Sequence, residues 1–259
     1  MTSRTIALTV SYDGAAFAGF ARQPGRRTVQ GELEAALAII LRAPVATTGA
    51  GRTDAGVHAL GQVVSFAAPE TSAPEGRSLL RSLNALTGPD VVVTGVRLAS
   101  PAFDARHSAV GREYRYRIVP GPVPPLFCAR TAWWVDASLD LVAMREAARY
   151  LIGEHDFRSF CVAGSAKGKR TYRRIDVIDI APTRELGEHC LVIRVVGNAF
   201  LHSMVRIIVG SLVEVGRGLH DPSWMGEALV ACDRAAAGVT APAHGLTLWY
   251  VEYPDEYWL

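Results

Sequence analysis

Ile175-Asp-Val-Ile-Asp-Ile180 and Leu191-Val-Ile-Arg-Val-Val196 are two short runs rich in β-branched residues, and they read as a pair of neighbouring strands. Working outward, the same kind of signal recurs beside helical patterns. Arg4 to Tyr12 alternates, with Ile6, Leu8, Val10 and Tyr12 on one side, and Asp13-Gly14 ends it as a turn. Thr28 is a plausible N-cap for an amphipathic helix with Val29, Leu33, Leu37 and Ile40 on one stripe. Strands are expected at Val45–Ala50, Gln62–Phe66 and Val91–Leu98, with a helix at Leu79–Leu86. Tyr114 to Val119 is another strand, with Tyr114, Tyr116 and Ile118 on one face and Arg115 and Arg117 on the other. Gly121 to Pro125 stops it as a stiff connector. Leu139–Leu151 reads as a helix. Asn198 is a candidate cap for a long helix over Phe200–Val215, followed by a shorter one from Pro222 to Cys232 and a last strand at Leu246–Tyr253.

Strands interspersed with helices, several of them in hairpin-like pairs, favour an α+β architecture over a doubly wound parallel one. The expected core is a mixed, mostly antiparallel central sheet flanked by helices. Two halves, 1–105 and 106–259, have a similar order of elements and are expected to share one catalytic cleft. No sequence repeat proves duplication.

Composition narrows the function. The 259 residues are 49% hydrophobic and 20% charged, an ordinary globular balance. None of the four cysteines forms a Cys-x-x-Cys pair or has zinc-finger spacing to histidine, so buried thiols in a reducing cytosol are expected. The N-terminal stretch carries no apolar run of signal-peptide length, and no segment has the roughly 20 apolar residues of a membrane span, so a cytoplasmic protein is expected. Net charge is only +2, yet cations cluster. Residues 161–174, CVAGSAKGKRTYRR, hold Lys167, Lys169, Arg170, Arg173 and Arg174 without an acid. Arg22, Arg26 and Arg27 form a second cluster. Arg106, Arg112, Arg115 and Arg117 form a third, opposed only by Glu113.

The most informative loop is Gly49-Ala-Gly-Arg-Thr-Asp-Ala-Gly-Val-His-Ala-Leu-Gly-Gln62. Small neighbours leave room for a ligand to reach the Asp54 carboxylate. In an extended stretch Arg52 and Asp54 point the same way, and a cation beside a carboxylate favours the ionised form that acts as nucleophile or base. The loop lacks the Gly-Lys-[Ser/Thr] ending of a phosphate loop. A dinucleotide loop wants glycine where Asp54 stands. An aspartate-nucleophile phosphatase would want a second aspartate at Gly56. The plain alternative is an Asx-type turn with Arg52 paired to Asp54 at the surface.

GRTDAGVHALGQVVSF, residues 51–66, resembles the signature of the TruA-type pseudouridine synthases, with Asp54 at the place of the family's aspartate. Further resemblance runs through Tyr12-Asp-Gly14 with Phe17, Gly19 and Arg22-Gln23, then Thr28–Glu34, Phe103-Asp-Ala-Arg106 and Arg112–Tyr116. It continues through Gly153–Phe157 with Ser159-Phe160, Asn198–Arg206 with Gly210-Ser211, and Thr240–Pro242 with Gly245-Leu246. The blocks follow family order over nearly the whole chain. Phe20 stands where the family often has tryptophan.

This resemblance implies a pseudouridine synthase fold and a cofactor-free, metal-free isomerisation of uridine at positions 38, 39 and 40 of the tRNA anticodon stem-loop. The target base is flipped out of its stack, as chemistry on a base requires. Asp54 is then the nucleophile, with attack at C1′, attack at C6 and assisted elimination at the sugar all open. Tyr114 stacks on the target base, Arg52 helps hold the flipped state, and Arg206 pairs with Asp54 or a phosphate. Phe103, Arg106, Lys167, Lys169 and Arg170 are RNA contacts, with Arg77 the candidate in the loop at 67–77. His58 and His202 are structural. A homodimer gripping one tRNA is implied, with no membrane partner. The competing class is a non-catalytic tRNA-binding protein on the same fold.

Overall fold

The computed structural model describes residues 3–69 and 76–259. In chain order the first elements are β1 (Ser3–Tyr12), α1 (Val29–Leu41), β2 (Thr48–Gly49), β3 (His58–Pro69), α2 (Gly76–Leu86), β4 (Val91–Ala99) and β5 (Gly111–Pro120). Then come β6 (Trp133–Val135), α3 (Leu141–Arg149), β7 (Gly153–Asp156), α4 (Ala163–Ala166), β8 (Tyr172–Glu185) and β9 (Glu188–Gly197). The chain ends with α5 (Met204–Gly216), α6 (Trp224–Ala231) and β10 (Leu246–Glu252). The fold is α+β, built on mixed, mostly antiparallel sheet flanked by helices.

The chain divides into two compact units, Met1–Gly111 with Leu248–Leu259, and Arg112–Thr247. The division therefore falls six residues beyond the one at 105 read from the sequence, and the final segment joins the first unit. In that unit β1 lies between β4 and β3, antiparallel to both, and β10 flanks β3 on its other side. Ile6, Leu8, Val10 and Tyr12 are all buried, as the alternation expects, and a bulge between Val10 and Tyr12 shifts the β1–β3 register. Thr28 caps α1: its Oγ1 accepts the Gly31 N–H at 3.2 Å. Val29, Leu33 and Leu37 are sealed in the core, each such burial stabilising by about 1.5–3 kcal/mol. Ile40 is only half-buried, and Ala36 and Leu41 complete the stripe instead.

In the second unit the strand order is β5-β9-β8-β7, all antiparallel, and β6 pairs parallel to β5. The β8–β9 ladder reaches Glu185↔Glu188 and turns over Leu186 and Gly187, both at positive φ (50° and 88°). Two left-handed residues match the twist of a two-residue hairpin. The paired strands are thus longer than the apolar runs that announced them. The outer end of the ribbon is polar and carries no hydrophobic alternation.

Several boundaries differ from the sequence reading. The strand expected at Val45–Ala50 shrinks to Thr48–Gly49, and β3 begins at His58 rather than Gln62. The long helix starts at Met204, not Phe200. Ser203 precedes it in the left-handed region (φ 57°), which a continuous helix from Phe200 excludes. Asn198 caps no helix; its Oδ1 accepts the Arg174 N–H at 3.0 Å and ties the ends of β8 and β9. Of the loop expected at 67–77, residues 67–69 complete β3, Gly76 and Arg77 open α2, and 70–75 lie outside the described residues.

Among the described residues, no helix is long and apolar enough to cross a membrane. None of their His, Cys, Asp and Glu side chains gather in threes to hold a metal.

Candidate active site

The loop between β2 and β3 is pinned at Ala50, Gly51, Thr53, Asp54 and Val57. Ala50 N–H donates to Val63 O at 2.8 Å, and Phe20 N–H to Thr53 O at 3.1 Å. Gln62 Nε2 donates to Gly51 O at 2.9 Å. Thr53 is buried, and its hydroxyl shares a 2.8 Å hydrogen bond with the Tyr12 hydroxyl. Burial pushes the Tyr12 hydroxyl up to about 12, against the hydrogen bonds from Thr53 and Gln62, so it stays protonated across the working range of pH. Asp54 opens a β-turn: Val57 N–H donates to Asp54 O at 3.2 Å, and Gly56 sits third in the turn at φ 79°. A left-handed residue there is the mark of a type II turn and selects glycine.

Two further glycines let neighbouring chain close on this turn. A Cβ at Gly14 would stand 2.0 Å from Val57 O, and one at Gly19 would stand 2.9 Å from Thr53 O. His58 Nδ1 accepts the Gly14 N–H at 3.1 Å, a strut between loops that matches its expected structural role. Phe20, buried, lies over Gly49, where a Cβ would meet its ring at 2.4 Å. The aromatic in place of tryptophan therefore packs under the loop. Burial alternates along the segment: Arg52 is exposed, Thr53 buried and Asp54 half-buried. With Thr53 held inward by Tyr12, its two neighbours turn outward. A carboxylate carried on a held backbone, on a residue partly open to solvent, suits a nucleophile.

Tyr114 and Arg206 belong to the second unit. Tyr114 lies on β5, nearly buried, with its ring edge-on to Phe200 at 5.2 Å between centroids. Next along the face, Tyr116 is fully buried and donates to Pro242 O at 2.8 Å. Burial raises the Tyr116 pKa, and the Arg206 charge opposes the rise, which places that guanidinium in the neighbourhood of Tyr116. Arg206 sits in the first turn of α5, and its Nε donates to Ala241 O at 2.8 Å while Ala241 N–H returns a bond to Arg206 O. The segment 240–242 thus orients Arg206. Just before it, the chain at Val239 packs so closely on α5 that a Cβ at Gly210 would overlap Val239 O at 1.8 Å.

Phe103 is buried, with its ring 5.0–5.6 Å from those of Tyr253, Trp258 and Tyr257. It anchors a loop in which Asp104 Oδ1 accepts the N–H groups of Arg106 and His107 at 2.8 Å, and this loop presents Arg106 to solvent. Arg77 is exposed in the first turn of α2, and Lys167, Lys169 and Arg170 are exposed after α4.

The basic clusters are less free than the sequence suggests. Arg27 pairs with Glu32 at 2.6 Å and Asp90 at 2.8 Å, and lies over the Phe17 ring. Arg115 pairs with Glu113, and Arg117 with Glu185. Burial draws Glu113 upward, but Arg194 and Arg115 outweigh it and hold the carboxyl below its usual range. Most of these partners come from other elements, so the one-dimensional charge count overstates the positive surface. The brace of Tyr12, Thr53 and Gln62 escapes sequence reasoning; three hydrogen-bonding side chains beside an apolar alternation are its only signal.

The family profile described as tRNA pseudouridine synthase matches residues 8–87 and 147–254. A tRNA pseudouridine synthase A from Methylococcus capsulatus is 45% identical over 254 residues, covering 98% of this chain and 91% of its own. Those from Bacillus subtilis and Frankia casuarinae are 44% and 46% identical, covering 95% and 96% of this chain and 98% and 89% of theirs. One chain of a Cbf5–Nop10–Gar1 complex is 14% identical over 80% of this chain and 54% of its own, with a TM-score of 0.33, too loose a likeness to build on. Kinship of that extent with the curated relatives, laid over a braced and solvent-reachable aspartate, places the chain in the tRNA pseudouridine synthase family, enzymes that isomerise uridine to pseudouridine in tRNA.

Proposed function

We propose that this chain isomerises the uridines at positions 38, 39 and 40 of the tRNA anticodon stem-loop, with Asp54 as the nucleophile. The observation that carries the reading is the Asp54 turn: a carboxylate half-open to solvent on a loop fixed by Tyr12, Thr53, Gln62 and close-packed glycines. In the reaction the N1–C1′ bond of uridine breaks, the base turns, and a C5–C1′ bond forms. The C5 hydrogen leaves and N1 gains a proton, so nothing is oxidised and no group is lost. Asp54 acts on the flipped nucleotide by attack at C1′, by attack at C6 or by assisting elimination at the sugar.

Tyr114 offers a flat ring to the target base, a contact of about 1–3 kcal/mol in base–aromatic pairs. Arg52 and Arg206 hold the flipped state and the local phosphate charge. Arg206 is suited to this because Ala241 O fixes its Nε and with it the direction of the guanidinium. Of these residues Asp54 and Arg52 belong to the first unit, Tyr114 and Arg206 to the second. Arg106, Arg77, Lys167, Lys169 and Arg170 contact RNA phosphates, and Phe103 holds the loop that presents Arg106. Kinship supports a homodimer working in the cytoplasm on one tRNA, without metal or organic cofactor.

Mapping tests the substrate. After incubation with unmodified tRNA, carbodiimide-dependent reverse-transcription stops are expected at positions 38 to 40. Stops confined to other positions would overturn the substrate while keeping the chemistry.

A further inference from the structure

An open groove of about 540 Å³ lies in the second unit between the 3-10 turn at Arg158–Phe160, α4 with the residues after it, and the 3-10 turn at Arg234–Ala236. Four cations line it, Arg158, Lys167, Lys169 and Arg234, against one carboxylate, Asp233. That carboxylate is already engaged, since its Oδ1 accepts the Ala235 N–H at 3.0 Å. Arg234 is held in place by Ala237 O at 3.0 Å and Thr240 Oγ1 at 3.2 Å. Arg158 touches Asp156 only at 3.5 Å and is half-exposed, a weak tie.

More positive charge lies close by. Arg158, Arg173 and Arg234 all act on the buried Cys161 thiol, which burial and Asp156 push up against them. Burial lowers the pKa of Arg173, and the charges of Arg170 and Arg112 lower it further, so these guanidiniums repel one another. Arg173 turns one nitrogen back to Arg170 O and Tyr172 O. Arg170 pairs with Glu154 at 3.2 Å, yet the cations still outnumber the acids here, and like charges gathered together destabilise the protein that holds them. Five of the nine residues that line the groove are charged, where a small-molecule pocket would hold only a few polar groups.

We infer that the groove bounded by Arg158, Lys167, Lys169 and Arg234 is a seat for the phosphate backbone of the tRNA, reading charge and path rather than base identity. The inference rests on the proposed reaction for its substrate and adds Arg158 and Arg234 to the contacts read from the sequence. Phosphates neutralise the crowded cations, and the counterions they release make binding steeply salt-dependent. Arg234, fixed by two hydrogen bonds, supplies the immobile wall. Lys167 and Lys169, on long exposed stems, supply the adjustable one.

The test replaces Arg158, Lys167 and Lys169 together with glutamine, all three being exposed and outside the core. Binding of unmodified tRNA is measured across a salt series, alongside thermal melting and turnover. The melt is expected to hold or rise slightly as repulsion is relieved, and the affinity to fall about tenfold or more near physiological salt, with KM rising in parallel. The slope of log affinity against log salt should flatten by about 0.7–0.9 for each phosphate that is no longer neutralised. Arg234→Gln alone should flatten it by about the share of one phosphate. Unchanged affinity and slope in a folded triple variant would overturn the groove while leaving the Asp54 reading intact. A wild type that binds tRNA with this salt slope but never isomerises it would sink the reaction and spare the groove.

Discussion

The turn at Asp54–Val57 and the groove between Arg158 and Arg234 both display ionisable side chains to solvent, yet they are held in opposite ways. The turn is fixed by backbone and by hydrogen bonds from Tyr12 and Gln62, so the backbone that carries its carboxylate has little freedom. Two lysines of the groove project from a short exposed segment, and the segments around them meet from distant parts of the chain. A group that makes and breaks bonds gains from pre-organisation, because misplacement of an ångström costs rate. A group that neutralises a polyanion gains from reach, because Coulomb attraction falls slowly with distance. The contrast teaches where substitutions should register: in turnover at the turn, in KM and salt dependence at the groove.

The contrast is broken most forcefully by a side chain at Gly14. Gly14→Ala forces a methyl into Val57 O, and a cost of about 3 kcal/mol is expected in urea unfolding, together with a loss of turnover. A stable, active Gly14→Ala protein would mean that the turn is not held by this packing. Tyr12→Phe is finer. It removes only the hydroxyl shared with Thr53 and should cost about 1–2 kcal/mol of stability. Its kinetic effect should fall on kcat, with KM for tRNA unmoved; an equal rise in KM would erase the distinction between the two regions. Thr28→Ala removes the cap of the helix whose first turn packs beneath the Gly19–Phe20 chain, at about 1 kcal/mol.

Acid probes the second unit by itself. Glu188 accepts N–H bonds from Leu126, Phe127 and Cys128, chiefly those of Leu126 and Cys128, which hold its carboxyl near 2. A depressed folded pKa means stability present above the ordinary glutamate range and lost as pH falls from about 4.5 towards 2. Melting curves of wild type and Glu188→Gln should therefore differ at neutral pH and converge as the pH approaches 2. A constant difference would show that the carboxylate charge is not what holds the 126–128 segment.

The two regions also differ in how far the sequence discloses them. The glycines and the aspartate of the Asp54 turn are legible because they lie within a few residues of one another, whereas the Tyr12 hydroxyl that braces the turn lies 41 residues from Thr53 and is not. The cap at Thr28 and the buried stripe of α1 are legible because they too are local. The start of α5 is not, because Ser203 adopts a left-handed conformation that no helical periodicity reports. The outer half of the β8–β9 ribbon escapes because residues outside the core carry no alternation. Only Lys167 and Lys169 of the groove can be read; Arg158 and Arg234 become its walls through folding. The neutralised arginines at Arg27, Arg115 and Arg117 show the converse, a charge cluster in sequence that pairing dissolves in space.

The central claim is that Asp54 carries the chemistry. Its most direct test is tritium release from tRNA labelled at uridine C5, with wild type and Asp54→Asn compared side by side at saturating tRNA. The account predicts release by the wild type and a loss on the order of 10⁴-fold in the variant, with tRNA affinity and melting temperature nearly unchanged. Release by Asp54→Asn at a rate near that of the wild type would contradict it.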